Sequence, residues 1–189
     1  DKSNLLVEEL LALSPQHNET LMLKAFNLSK AGNLEEAKQI YLDILTLTPS
    51  NTGARERVSS LYQQQGDTKN ALYHLDLLIK DDFDNADYLL RKAALQLEAG
   101  QRADAEKTLS IVRNFINDDA GKLIAYADQA RRVDNDENAL DAMARAYEIA
   151  NTSTFVTLRY VSLLLDMQNN DKAQSLLTTI PTNQQQNPV

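Results

Sequence analysis

The sequence predicts an all-α chain built from antiparallel helix pairs stacked as a solenoid, and three observations carry this. Alanine recurs every 34 residues at Ala37, Ala71, Ala105, Ala139 and Ala173; a fixed period of that length marks a helical-repeat architecture. Glycine precedes the first three of these alanines by five positions, as Gly32, Gly66 and Gly100. The chain holds only 5 Gly and 4 Pro, and three of those glycines together with Pro15 and Pro49 fall at repeat boundaries, which leaves long stretches free of helix breakers.

Each unit reads as an amphipathic helix A, a Gly-polar break and a second amphipathic helix B. Carrying the phase backwards puts Ser3 at the alanine position and Pro15 at the repeat end, so the half repeat 2–15 is a helix B over Lys2 to Leu13. Its Leu5, Leu6, Leu10, Leu11 and Leu13 offer more apolar surface than one neighbour covers, and the chain is read on that ground as a segment of a longer repeat protein. In repeat 18–51, helix A is Asn18 to Ala31 and helix B Leu34 to Leu47, with Gly32-Asn33 between them; Asn33 and Glu36 have capping-box spacing. Repeat 52–85 places Thr52 to Gln65 and Thr68 to Asp81 about Gly66-Asp67. Repeat 86–119 places Ala86 to Ala99 and Arg102 to Phe115 about Gly100-Gln101. Repeats 120–153 and 154–181 keep the phase without glycine at the break, as Ala120 to Val133 with Asp136 to Ile149 about Asp134-Asn135, and Thr154 to Met167 with Asn170 to Ile180 about Gln168-Asn169. Pro181 stops the last helix, and 182–189 reads as a mobile polar tail after a single domain spanning 1–181.

A large apolar residue follows each alanine by four, as in Ala37 to Tyr41, Ala71 to Leu75, Ala105 to Leu109, Ala139 to Met143 and Ala173 to Leu177. Twelve residues before each alanine stand Ala25, Ser59, Ala93, Ala127 and Val161, four of the five small. This pattern resembles the tetratricopeptide repeat (TPR) across residues 18 to 180. The terminal proline of that family survives as Pro49 but becomes Phe83, Asn117 and Asn151.

The resemblance implies a right-handed α-α superhelix whose concave groove is lined by one face of each helix A, with side chains at i, i+4 and i+7. Carried over residue by residue, that face is Met22, Phe26 and Ser29, then Glu56, Ser60 and Gln63, then Leu90, Ala94 and Leu97, then Ile124, Asp128 and Arg131, then Leu158, Ser162 and Leu165. The subfamily that grips C-terminal carboxylates of chaperones has Lys and Asn at the first two positions, which Met22/Phe26 and Glu56/Ser60 do not match. A mixed apolar groove suits an amphipathic helix or an extended apolar peptide, with Arg57, Arg91, Arg131, Arg132 and Arg159 at its edges for acidic groups.

Other chemistries lack their parts. A net charge of −8 without a basic stripe disfavours nucleic acid, and no apolar run approaches the roughly 18 residues of a membrane span. With no cysteine and only His17 and His74, neither a zinc site nor a nucleophile-base pair can be assembled at helical spacing. Asp134 to Asn138 begins like a calcium loop, but Ala139 stands where that loop needs Gly and Arg145 where it needs Glu, so a helix-capping turn is expected. No phosphate loop or hydrolase motif is present; acid pairs such as Glu35-Glu36, Asp81-Asp82 and Asp118-Asp119 read as caps. The expected function is therefore a non-catalytic scaffold binding a protein or peptide, without cofactor or metal. The alternative expectation is a periplasmic part of a bacterial exopolysaccharide-secretion or surface-appendage system, with polysaccharide in the groove. Self-association through the Leu-rich first helix is a third. The absence of cysteine fits cytoplasm and periplasm alike.

Overall fold

The computed structural model describes residues 2–116 and 118–180. The stop at Pro181, the tail 182–189 and the repeat-end Asn117 lie outside the described residues. Among those described there are eleven helices and no strand: α1 Lys2–Leu13, α2 Asn18–Lys30, α3 Leu34–Leu47, α4 Thr52–Gln64, α5 Thr68–Asp81, α6 Ala86–Glu98, α7 Arg102–Val112, α8 Ala120–Arg132, α9 Asp136–Ile149, α10 Thr154–Asp166 and α11 Asn170–Leu177. Every helix B begins at the residue the phase predicts. Every helix A stops one residue early, because Ala31, Gln65, Ala99, Val133 and Met167 act as C-caps.

The break after each helix A has one backbone solution repeated five times. Gly32, Gly66, Gly100, Asp134 and Gln168 all take positive φ, between 54° and 87°. The following N–H then bonds back five residues, as Asn33 to Leu28 O at 2.9 Å and Asn169 to Leu164 O at 2.8 Å, which closes the helix in a Schellman turn. Helix B starts next, and its cap varies. Asp67 and Asn135 accept the amide three residues on, whereas Asn33 makes no side-chain cap bond, so the capping box expected with Glu36 does not form.

The helix-pair columns are closed to solvent. Ala37, Ala71, Ala105, Ala139 and Ala173 are fully buried, as are Ala25, Ser59 and Ala93, with Ala127 and Val161 close behind. Two predicted segments end short of their boundaries. α7 stops at Val112, and residues 113–115 form a turn after the β-branched pair Ile111-Val112. α11 stops at Leu177, where Thr178 and Thr179 turn their hydroxyls onto the carbonyls of Ser175 and Leu176, both at 2.7 Å, in competition with further helix. Leu177, the last residue of this helix, is exposed.

The chain divides after Phe83 into two compact units. In the first, α1 to α5 pack each on the next in sequence. Its core gathers Ala25, Ala37, Tyr41, Ile44, Leu45, Ala54, Val58 and Leu61, with Leu21, Met22, Ile40 and Tyr62 packed against it. In the second, α6/α7, α8/α9 and α10/α11 are the pairs, and α8 and α10 rest on the elements before them. Its buried side chains include Leu95, Leu109, Val112, Leu123, Met143, Tyr160 and Leu164.

Candidate functional site

Each unit carries a surface cleft where one helix A meets the next. In the first unit, Phe26, Ser29 and Lys30 of α2, Tyr41 of α3, and Arg57, Ser60, Leu61 and Gln64 of α4 line a cleft of ≈ 190 Å³. In the second, Ala127, Asp128 and Arg131 of α8, Met143 of α9, and Arg159, Ser162 and Leu163 of α10 line one of ≈ 150 Å³. These are the same place in the repeat. Adding 102 residues, three periods, takes Phe26 to Asp128, Ser29 to Arg131, Tyr41 to Met143, Arg57 to Arg159, Ser60 to Ser162, Leu61 to Leu163 and Gln64 to Asp166.

The shared geometry carries different chemistry. In the second unit Arg159 donates to Asp128, and Arg131 donates to Asp166 at 2.6 Å, so both cleft arginines are neutralised between α8 and α10. The Lys122 to Asp87 pair at 2.9 Å links α8 to α6 in the same manner and raises the lysine pKa. In the first unit the Asp128 position is Phe26. The Arg57 guanidinium lies 5.7 Å and the Lys30 ammonium 5.6 Å from its ring centroid, both within cation–π range. The Arg131–Asp166 pair is replaced there by Ser29 and Gln64, which carry no charge. Tyr41 closes the floor of this cleft at 1% exposure; burial pushes its phenol pKa up, against the smaller opposing effects of Arg57 and the Ser29 hydroxyl. Ser29 and Ser60 donate to the carbonyls of Ala25 and Glu56, at 3.0 and 2.9 Å, so their protons are already engaged along the helix.

The ten groove residues fall into three sets. Phe26 and Ser60 line the first cleft, and Asp128 and Arg131 the second. Met22 and Leu90 are used in packing: the Met22 methyl lies against Gly53, where a Cβ would meet it at 3.4 Å, and Leu90 is only 5% exposed. Glu56, Ala94 and Ile124 are half-buried outside the two clefts, and Leu158 is exposed on α10, as are Phe155 and Leu165. Sequence reading placed Arg131 and Arg159 at the groove edge as free cations, and missed that Asp128 and Asp166 engage them. The signal was present in the repeat, because both carboxylates sit in the columns that hold Phe26 and Gln64 three periods earlier.

Among the described residues no group of three or more His, Cys, Asp and Glu has a metal-binding arrangement, and no helix is long and apolar enough to cross a membrane. His74 is buried on α5, stacked on Tyr62 with centroids 5.7 Å apart and edge-on to Tyr73 at 5.2 Å. Burial, and secondarily Arg55, hold its pKa below the usual imidazole range, and its Nδ1 has no hydrogen-bond partner among the described residues. It faces neither cleft.

Solved structures of TPR proteins match the chain over most of its length. MamA from Desulfovibrio magneticus RS-1 aligns with a TM-score of 0.69 at 16% identity, over 85% of this chain and 91% of that one. YrrB, described as a TPR protein with an unusual peptide-binding site, aligns at 0.66 and 16% identity over 92% and 89%. TTC0263, a TPR protein of Thermus thermophilus, aligns at 0.63 and 24% identity over 85% and 88%. No protein-family model and no curated protein matches the chain. The fold is that of the TPR solenoids.

Proposed function

We propose that this chain is a non-catalytic interaction scaffold that holds a protein or peptide segment against the open faces of its A helices. One observation carries the reading. The columns that join helix A to helix B are closed to solvent, whereas the clefts between successive A helices remain open and bring aromatic, hydroxyl and charged groups together on rigid elements. YrrB, of the same fold, is described as having a peptide-binding site, which fits this use of the architecture.

The test is site-specific photocrosslinking in the organism of origin. A photoreactive residue replacing Ser60 or Ser162 should give discrete adducts with another protein, and the same residue at exposed Gln39 or Glu106 on B helices should not. Equal adducts from both faces, or none from the clefts, would remove the reading. The secretion-component alternative, with glycan in the groove, rests on composition, and neither cleft offers an arrangement that favours it. Self-association through α1, whose Leu5, Leu6, Leu10 and Leu13 are exposed, is a separate proposal. Light scattering showing monomer alone at high concentration would dismiss it.

A further inference from the structure

We infer that the first-unit cleft takes an acidic side chain, Asp or Glu, from the bound protein segment, and that this carboxylate does for Arg57 what Asp128 does for Arg159. The inference rests on the scaffold reading above and adds the chemistry of the partner.

The two clefts form an internal comparison. Position for position they share an arginine from the later A helix, a serine one turn further on and a leucine beside it. In the second unit the chain supplies the counter-charges itself, from Asp128 and Asp166. In the first unit those positions are Phe26 and Gln64, and among the described residues no carboxylate pairs with Arg57 or Lys30. In a chain with 27 acidic against 19 basic residues, two unneutralised cations beside one exposed aromatic ring are a local reversal of the overall sign.

The donors available there select the ligand. Ser29 and Ser60 have committed their protons to helix carbonyls, which leaves the planar Arg57 fork, the Lys30 ammonium and the Gln64 amide to face an incoming acceptor. A guanidinium presents paired N–H groups that match the two oxygens of one carboxylate. Phe26, 38% exposed, supplies the apolar contact that a methylene stem of Glu or a neighbouring aliphatic residue would cover. The second cleft, already neutral, has no comparable demand for an acid.

The experiment is selection of C-terminally amidated random 12-residue peptides on the intact chain, so that only side chains can supply carboxylates. It is run in parallel on Arg57→Gln and on Phe26→Asp, which would place the carboxylate in the chain itself. Peptides selected by the wild type should be enriched in Asp and Glu, and should lose roughly tenfold in affinity when those residues become Asn and Gln. Both variants should lose the enrichment. Circular dichroism checks that Phe26→Asp folds; if it does not, Arg57→Gln carries the test, since Arg57 is on the surface. A wild-type pool without acidic bias, or the same bias on Arg57→Gln, overturns the inference while leaving the scaffold reading in place. A selection that yields no peptide counts against both. Binding that appears only with free C-terminal carboxylates would assign the cleft to chain ends and overturn the side-chain claim.

Discussion

Ser59 donates its hydroxyl to the main-chain carbonyl of Ala71 at 2.9 Å, with both residues wholly buried where α4 lies against α5. Only a small side chain on each helix permits that approach, which is the physical content of the two alanine-like columns. Ala71→Leu should overpack the contact and cost roughly 1–3 kcal/mol in chemical denaturation. Hydrogen exchange should show the loosening first in α4 and α5, since repeat units depend on their neighbours. An unchanged midpoint would mean that the column does not set the helix spacing.

The five left-handed breaks divide into three glycines and two residues with a Cβ. Gln168 at φ 59° has no compensating ion pair, whereas Asp134 at φ 54° accepts from Arg102 at 2.7 Å. Gln168→Gly should therefore stabilise by about 0.5–1 kcal/mol, and Asp134→Gly by less, because it also removes the pair with Arg102. Thermal melts of the two variants decide this; a loss of stability in Gln168→Gly would refute the account of the turn.

Acid should weaken the first unit through His74. Burial, and secondarily Arg55, disfavour the charged imidazole in the folded chain, so below its ordinary value of about 6.5 the unfolded chain takes up a proton more readily than the folded one. Stability is then intact above that pH and declines as pH falls toward the lowered folded-state value. His74→Phe preserves ring stacking with Tyr62 and should flatten the decline between pH 7 and 5. Identical slopes for the two proteins would assign the pH dependence to other groups.

Much of this was legible in the sequence, and the limits are physical. The 34-residue phase located all five helix-B starts, because each follows a turn of fixed backbone geometry. It overran α7 and α11, where local hydroxyl bonds and β-branched residues decide the last turn and no long-range pattern records them. Within the groove, the face carried over from the TPR resemblance includes four residues that line the clefts, Phe26, Ser60, Asp128 and Arg131. The resemblance could not separate Leu90, which packs inside, from Leu158, which stays open, since both are leucines at equivalent helical positions. The ion pairs of the second cleft were hidden for a different reason: each joins residues of successive repeats, and a face-by-face reading of single helices does not compare them.

The account stands or falls on one side chain setting the charge of the cleft that each unit carries. Isothermal titration of the chain and of Asp128→Phe with an acidic peptide selected on the wild type tests it. One site is expected for the parent protein, and a second for Asp128→Phe, because losing Asp128 leaves Arg159 without its carboxylate and beside an aromatic ring, as Arg57 is beside Phe26, while Arg131 stays paired with Asp166. An unchanged single site in Asp128→Phe would show that the two clefts are not equivalent and would contradict the account.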